Sequence, residues 1–211
     1  MKSPTDKFLS VKGRKCRKWL VEDFENQRAV RWSTDGNDLF AIGVAHGGAK
    51  NPLFAVDFDI SPNTNHLITP MGLPSDNYDW VYEDPTDLIR YPSNTHFEFR
   101  NPETLMSDLK AFFRWTEKVH FVECTLLDAY EVYLTNPLTG DDSFSLGRYK
   151  GTFLATSKKA SCVIPVKPLK KIVQTMKVSK ILSIGKSYRD PFYFYGTVEG
   201  NEALAIVSPY K

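Results

Sequence analysis

The sequence predicts an α+β fold in which antiparallel strands outnumber the helices. Stretches of alternating apolar and polar residues recur along the chain, and this period of two is typical of strands with one buried face. Two other stretches carry apolar residues at the spacing of an amphipathic helix. The chain has 211 residues, of which 42% are hydrophobic and 13% aromatic. This composition supplies enough apolar surface for one large core or two smaller ones, so disorder is not expected.

The N-terminal residues are the most basic part of the chain. Cys16, Leu20 and Phe24 recur every four residues, which predicts a helix from about Arg14 to Glu25. Its cations lie in the first turns and its acids in the last, against the preference of the helix dipole. This arrangement suggests an anionic partner, and a solvated basic tail explains it equally well. The cations are Arg14, Lys15, Arg17 and Lys18.

Three strands are predicted next, over residues 28–33, 39–45 and 52–60. A turn signal at 34–37 and a Gly-Gly pair at 47–48 separate them. Residues 61–95 contain five prolines and no clear period, which indicates a long connection. We therefore predict a boundary near Pro92 that divides the chain into residues 1–95 and 96–211.

Two helices of the second half have one apolar and one basic side. The first, over 101–118, begins with Asn101 as N-cap and Pro102 in the first position. The second, over 166–177, carries an apolar stripe at Leu169, Ile172, Val173 and Met176 and has no acidic residue. Each helix can pack on a sheet and present cations to a negatively charged partner. These cations are Lys110, Arg114 and Lys118 in the first helix and Lys167, Lys170, Lys171 and Lys177 in the second.

Strands fill the rest of the second half. They are predicted at 119–127, 130–135, 143–156, 161–164, 180–186, 192–198 and 202–207, with a Gly200-Asn201 turn before the last. The predicted order is therefore helix, four strands, helix, three strands.

This order resembles the repeating domain of the DNA polymerase sliding clamps. The resemblance is carried by NPETLMSDLKAFFRWTEK, VKPLKKIVQTMK and the ending DPFYFYGTVEGNEALAIVSPYK, in which a strand, a turn and a final strand close on a small residue and proline. It covers about residues 96–211. Residues 19–60, with VDFDIS, are similar to a reduced first domain of the two-domain clamps of T-even phages.

The resemblance implies a viral DNA polymerase processivity factor that encircles duplex DNA without reading its sequence. It also implies that the protein has no enzymatic activity and needs no cofactor or metal. Clamp rings contain six domain-like units, so a two-domain chain implies a homotrimer, with an edge strand near Ser183 to Gly185 at the subunit contact. Implied partners are DNA polymerase and clamp loader in the cytoplasm of a host cell. The basic residues of the N-terminal cluster and of the two helices would bind DNA. A partner groove would include Leu67, Ile68, Met71, Leu73, Ile206, Pro209 and Tyr210.

Two other classes of function remain open. A clamp-like protein could bind or inhibit a partner without encircling DNA. Asp57 and Asp59 share one face of a predicted strand, as in sites that hold two divalent ions for nucleotidyl transfer or priming. His96, Glu98 or Asp128 would complete such a site, but no glycine-rich phosphate loop follows. Acids on the solvent side of an amphipathic strand are common, and we favour that interpretation.

Other classes of site and location are disfavoured. Cys16, Cys124 and Cys162 form no CxxC pair, which argues against zinc and is typical of reduced thiols. No nucleophile motif accompanies the four histidines. No apolar run of about 18 residues exists, so we expect no membrane span, and no apolar segment follows the basic N-terminus as in a secretory signal.

Overall fold

The computed structural model describes residues 2–10, 17–23, 28–34, 38–45, 96–115, 119–127, 130–135, 146–153, 161–184 and 192–209. Three helices lie in these ranges: α1 (Pro4–Phe8), α2 (Pro102–Trp115) and α3 (Val166–Thr175). The strands there are β1 (Arg17–Asp23), β2 (Arg28–Thr34), β3 (Leu39–Ala45), β4 (His96–Phe99), β5 (Phe121–Leu126), β6 (Glu131–Thr135), β7 (Gly147–Phe153), β8 (Ser161–Pro165), β9 (Lys177–Ile184), β10 (Phe192–Val198) and β11 (Asn201–Val207).

The strands form one antiparallel sheet in the order β1-β2-β3-β11-β10-β9-β4-β7-β6-β5-β8. The last strand of the chain, β11, pairs with β3, in a register that runs from Leu39 opposite Ile206 to Gly43 opposite Glu202. The N-terminal strands are therefore joined to the C-terminal half through backbone hydrogen bonds between β3 and β11.

The second half consists of two similar units, each a strand, a helix and three strands. The first unit is β4-α2-β5-β6-β7 and the second is β8-α3-β9-β10-β11. The strands of the two units occupy equivalent positions in the sheet: the first strand of each unit lies beside the second strand of the other, so β4 is next to β9 and β8 is next to β5. The last three strands of each unit are consecutive antiparallel neighbours. The order predicted from the sequence is confirmed, with β4 as an additional strand before the first helix.

Helices α2 and α3 pack against one face of this sheet and against each other. Leu105 and Leu109 of α2 and Leu169 and Ile172 of α3 are buried in one hydrophobic core. In β5 every second side chain is buried, as expected for a strand with one face on that core. The predicted apolar stripes are thus the surfaces that fix the two helices to the sheet.

The N-terminal helix predicted from Arg14 to Glu25 is wrong. Residues Arg17–Asp23 form β1, which pairs with β2 from Arg17 opposite Thr34 to Asp23 opposite Arg28. Residues that are four positions apart also lie on the same face of a strand, so the spacing fits a strand as well as a helix. Trp and Val, which both occur in this segment, favour strands. A neighbouring strand that supplies hydrogen bonds along the whole segment decides in favour of the hairpin.

The predicted edge strand near Ser183 is also wrong. Strand β9 is an interior strand, and Ser183 lies opposite Phe192 on one side and Phe97 on the other.

The actual turn before β11 is Glu199-Gly200, where both residues have positive φ angles of 50° and 82°. Elsewhere the predicted bounds of the second half differ from the observed ones by a few residues at element ends, as is usual.

The predicted strand over 52–60, the long connection and the boundary near Pro92 lie outside the described residues and stay predictions. In the described ranges, no helix is both long enough and apolar enough to cross a membrane.

Candidate nucleic-acid interface

The exposed cations of α2 lie on the side of the helix away from the sheet. Lys110 and Arg114 are both exposed and one turn apart, so they share a face. Leu105 and Leu109, which turn towards the core, are 3% and 2% exposed. The packing of α2 therefore directs two positive charges to solvent; Lys118, the third predicted cation, lies outside the described residues.

Helix α3 contributes two further cations beside those of α2. Lys167 is exposed, and Lys170 is half-buried with its Nζ 5.6 Å from the centroid of the Phe113 ring of α2. This cation–π contact places the Lys170 charge where the two helices meet. Lys110, Arg114, Lys167 and Lys170 bring four positive charges to these two helices, and α3 has no acidic side chain to offset them. We call these four residues the basic surface.

Lys171 makes a different set of contacts, although the sequence groups it with its neighbours. Its Nζ donates hydrogen bonds of 3.0 Å to the backbone oxygens of Phe8 and Ser10. The same Nζ lies 3.3 Å from the centroid of the Phe40 ring. Its charge is therefore directed at α1 and β3.

Lys177 also departs from the prediction, because it is the first residue of β9 and lies beyond the end of α3. It is exposed and, with Glu103 and Glu202, lines an open groove of about 390 Å³. The two carboxylates in this groove offset its charge, which makes Lys177 a weaker candidate for a phosphate contact than the basic surface.

The N-terminal basic cluster is described only in part. Arg14 and Lys15 lie outside the described residues, and Arg17 and Lys18 belong to β1. The structure instead brings α1 against α3, with Lys7 exposed on it. Sequence reasoning missed α1, although Ser3 is an N-cap whose side chain accepts a 3.0 Å hydrogen bond from the Asp6 N–H, and Pro4 follows it.

The C-terminal part of the predicted partner groove is fixed to the sheet. Ile206 is 0% exposed, and Pro209 is buried. The backbone N–H of Ser208 donates a buried 3.1 Å hydrogen bond to Oδ1 of Asp38, which precedes β3. The other predicted groove residues, Leu67, Ile68, Met71, Leu73 and Tyr210, lie outside the described residues.

The described residues do not assemble the alternative metal site. Asp57, Asp59 and Asp128 lie outside them, as does the side chain of His96 in β4. Oε1 of Glu98 is 3.4 Å from Nζ of Lys180, so this carboxylate has a cation as its partner. Within the described ranges, no group of three or more His, Cys, Asp or Glu side chains could hold a metal ion.

Two cysteines face each other across β5 and β8 but are not a reactive pair. Cys124 lies opposite Cys162, and both thiols are free. A hydrogen bond with the Cys162 side chain, and then burial, raise the pKa of the Cys124 thiol. Because the thiolate is the reactive form, Cys124 is expected to be inert near neutral pH.

Comparison with known proteins identifies the fold. No family model matches the sequence, and no curated protein matches it. Among solved structures, a β clamp of H. pylori bound to diflunisal matches with a TM-score of 0.57 and 9% identity, covering 99% of this chain and 63% of that one. A DNA polymerase sliding clamp from Caulobacter crescentus matches with a TM-score of 0.56 and 11% identity, covering 99% and 62%. The chain has the sliding-clamp fold.

The sliding-clamp fold was predicted from the two helices and the C-terminal strands, and this prediction is confirmed. The DNA polymerase III β chain of Streptococcus pneumoniae is a further match, with a TM-score of 0.51 and 13% identity, covering 93% of this chain and 57% of that one. At such identities the likeness concerns the fold alone. The chain spans about three fifths of the length of these clamps.

Proposed function

We propose that this chain is a sliding clamp, a viral DNA polymerase processivity factor that encircles duplex DNA and tethers replication proteins without catalysing a reaction. The observation that carries the proposal is the basic surface, which the sliding-clamp fold presents on the side of α2 and α3 away from the sheet. In the resemblance on which the sequence prediction rests, these helices line the central opening of the ring.

The chemistry of the basic surface suits contact with DNA that has no sequence preference. Lysine and arginine neutralise phosphates and release counterions, and phosphate contacts carry no information about the bases. Lys110, Arg114 and Lys167 are exposed on helices that their apolar stripes hold in place. A rigid surface of separate, long cationic side chains can exchange one phosphate for the next, as a protein that slides must do.

The resemblance to the two-domain clamps is the basis for the proposed homotrimer. A ring of six domain-like units would take two units from each of three copies. The continuous sheet, in which β3 joins β11, supports a chain whose first and second parts are successive units of one ring.

The proposed partners are a DNA polymerase and a clamp loader. A matching structure, the H. pylori β clamp, was solved bound to a DNA ligase peptide, with a TM-score of 0.52 and 10% identity. We place the corresponding groove of this chain at Leu67, Ile68, Met71, Leu73, Ile206, Pro209 and Tyr210. Ile206 is fully buried, so in this proposal it supports the groove from beneath and does not itself contact the partner.

Retention on DNA of different topology tests the proposal. The protein is incubated with a nicked circular duplex or with the same duplex linearised, and each mixture is passed through a gel-filtration column at moderate salt. A ring that slides remains on the circle and is lost from the ends of the linear form. Equal retention on both forms contradicts encirclement and favours a clamp-fold protein that binds a partner or DNA from one side.

A further inference from the structure

Helix α1 lies where the N-terminal strands meet the C-terminal half. It packs on α3 and on β10, and the Phe8 ring contacts the Phe40 ring of β3 edge-on, with centroids 5.3 Å apart. Strand β3 belongs to the first part of the chain, whereas α3 and β10 belong to the second. This five-residue helix therefore contacts both sides of the β3–β11 junction.

The apolar contacts of α1 are fully buried. Phe8 is 0% exposed and Leu9 is 4% exposed, and both belong to the same hydrophobic core as Phe40 and Ile172. A helix this short is not stable alone in water, because its nucleation cost exceeds the gain from its few hydrogen bonds. The described structure of residues 2–10 therefore depends on docking at the junction.

Lys171 fastens the end of α1. Its ammonium group donates to the carbonyl oxygens of Phe8, the last residue of α1, and of Ser10, two residues beyond the helix. The final carbonyl groups of a helix have no partner within the helix, and Lys171 supplies one for Phe8. The same group lies over the Phe40 ring of β3. One cation on α3 thus holds α1 and β3 together, and two of the three N–H donors of its ammonium group are used for this purpose.

A second contact fastens the start of α1. The Thr5 backbone N–H donates to Oε2 of Glu199 at 3.2 Å, and the Thr5 hydroxyl donates to the same oxygen. Glu199 lies in the turn between β10 and β11 and has a φ of 50°, a region that side chains other than glycine rarely adopt. The two ends of α1 are therefore tied to two separate elements of the second half.

We propose that α1 is a staple that fixes the junction between β3 and β11, and that Lys171 is the positioning residue that holds this staple in place. Lys171 consequently differs from Lys167 and Lys170 and does not act as a phosphate contact. If the junction is fixed, the two domain-like units of the chain keep the angle between them at which a ring can close. That consequence rests on the proposed function.

Hydrogen exchange of the α1 amides tests the staple in the full chain. The N–H groups of Lys7, Leu9 and Ser10 bond within the segment and report its docking. Lys171→Met keeps the length of the side chain but removes its charge and donors, and we expect these amides to exchange about tenfold faster or more. Lys167→Met, an exposed lysine on the same helix, should leave them unchanged. Lys171→Arg, which can also donate to two carbonyls, should restore protection.

A second variant keeps the test decisive if Lys171→Met fails to fold. Thr5→Ala removes one hydroxyl from an incompletely buried residue and should speed exchange of the same amides about threefold or more. Unchanged exchange in Thr5→Ala and in a folded Lys171→Met would overturn the staple.

DNA binding separates failure of the staple from failure of the proposed function. If Lys171 is a phosphate contact instead, Lys171→Met weakens the salt dependence of DNA binding while α1 exchange stays at the wild-type rate, and the proposal is overturned. If the wild-type chain does not bind DNA at all, faster α1 exchange in Lys171→Met still supports the staple, and only the proposed function fails.

Discussion

Neutralising α2 should remove about half of the electrostatic component of DNA binding. The double variant Lys110→Gln, Arg114→Gln deletes two exposed charges that lie one turn apart on the face away from the sheet. Both side chains are solvated and outside the core, so the substitution should leave folding intact. Glutamine retains most of the length and polarity of the originals, which confines the change to charge.

The magnitude follows from the number of helices. We take each of α2 and α3 to supply one phosphate contact in each of three copies, so the ring makes about six contacts. The logarithm of the association constant for DNA then falls against the logarithm of the salt concentration with a slope of about −5.4. Without the α2 contacts about three remain, and the slope becomes about −2.7. Between about 50 and 200 mM salt, affinity should then fall about 2,000-fold for the wild type and about 40-fold for the variant.

Fluorescence anisotropy on a labelled duplex, measured as a function of salt concentration, supplies the slopes. The matched control is Arg148→Gln, Lys150→Gln, which also deletes two exposed cations. These residues flank Tyr149, whose hydroxyl bonds Asp108 of α2, so they point to the opposite face of the sheet. The control should keep the wild-type slope. Equal slopes for the α2 variant and the wild type, or an equal loss in the control, would refute the assignment of the basic surface.

Two further predictions concern stability. A Cβ on Gly196 would clash with the Lys177 oxygen and lie 2.8 and 2.9 Å from other backbone atoms of β9, so Gly196→Ala should lower the free energy of unfolding by about 2 to 4 kcal/mol in urea titrations. Gly200→Ala, with open space but a φ of +82°, should cost only about 1 kcal/mol, and a larger loss there than at Gly196 would contradict the close approach. Burial, and then the electrostatic effect of Tyr193, raise the pKa of Tyr195 well above its ordinary value. The unfolded chain therefore loses this proton at a lower pH than the folded chain does, and the free energy of unfolding falls as the pH rises above about 10. Tyr195→Phe should lessen that loss in unfolding measurements between about pH 9 and 11. At pH 7 the substitution should cost nothing, because the buried hydroxyl has no hydrogen-bond partner among the described residues. Tyr149→Phe, which loses hydrogen bonds to Asp108 and Leu146, should cost about 1 kcal/mol at pH 7 and serves as the comparison.

The second half of the fold was predictable because its signals are local. Each helix has one apolar stripe, and strands such as β5 and β6 alternate between buried and partly exposed side chains. Residues 17–23 carry two competing periods, and only pairing with β2 decides between them. The pairing of β3 with β11 joins residues about 160 apart in the chain, and no local pattern specifies such a contact.

The basic surface was predictable as a group but not residue by residue. Helical spacing places Lys170 and Lys171 side by side on the polar side of α3. Only the tertiary structure distinguishes them, because α1 packs against Lys171 whereas Lys170 approaches Phe113. The start of α1 itself was signalled by Ser3 and Pro4, but nothing in the sequence indicates where such a short helix docks.

The mass of the protein in solution tests the central proposal most directly. Light scattering after size exclusion, over a range of protein concentrations, distinguishes one copy of the 24.1 kDa chain from a closed ring. A stable species of three copies, with a mass of about 72 kDa, is the predicted result. A chain that stays monomeric at every concentration would contradict the ring and favour a clamp-fold protein that acts without encircling DNA.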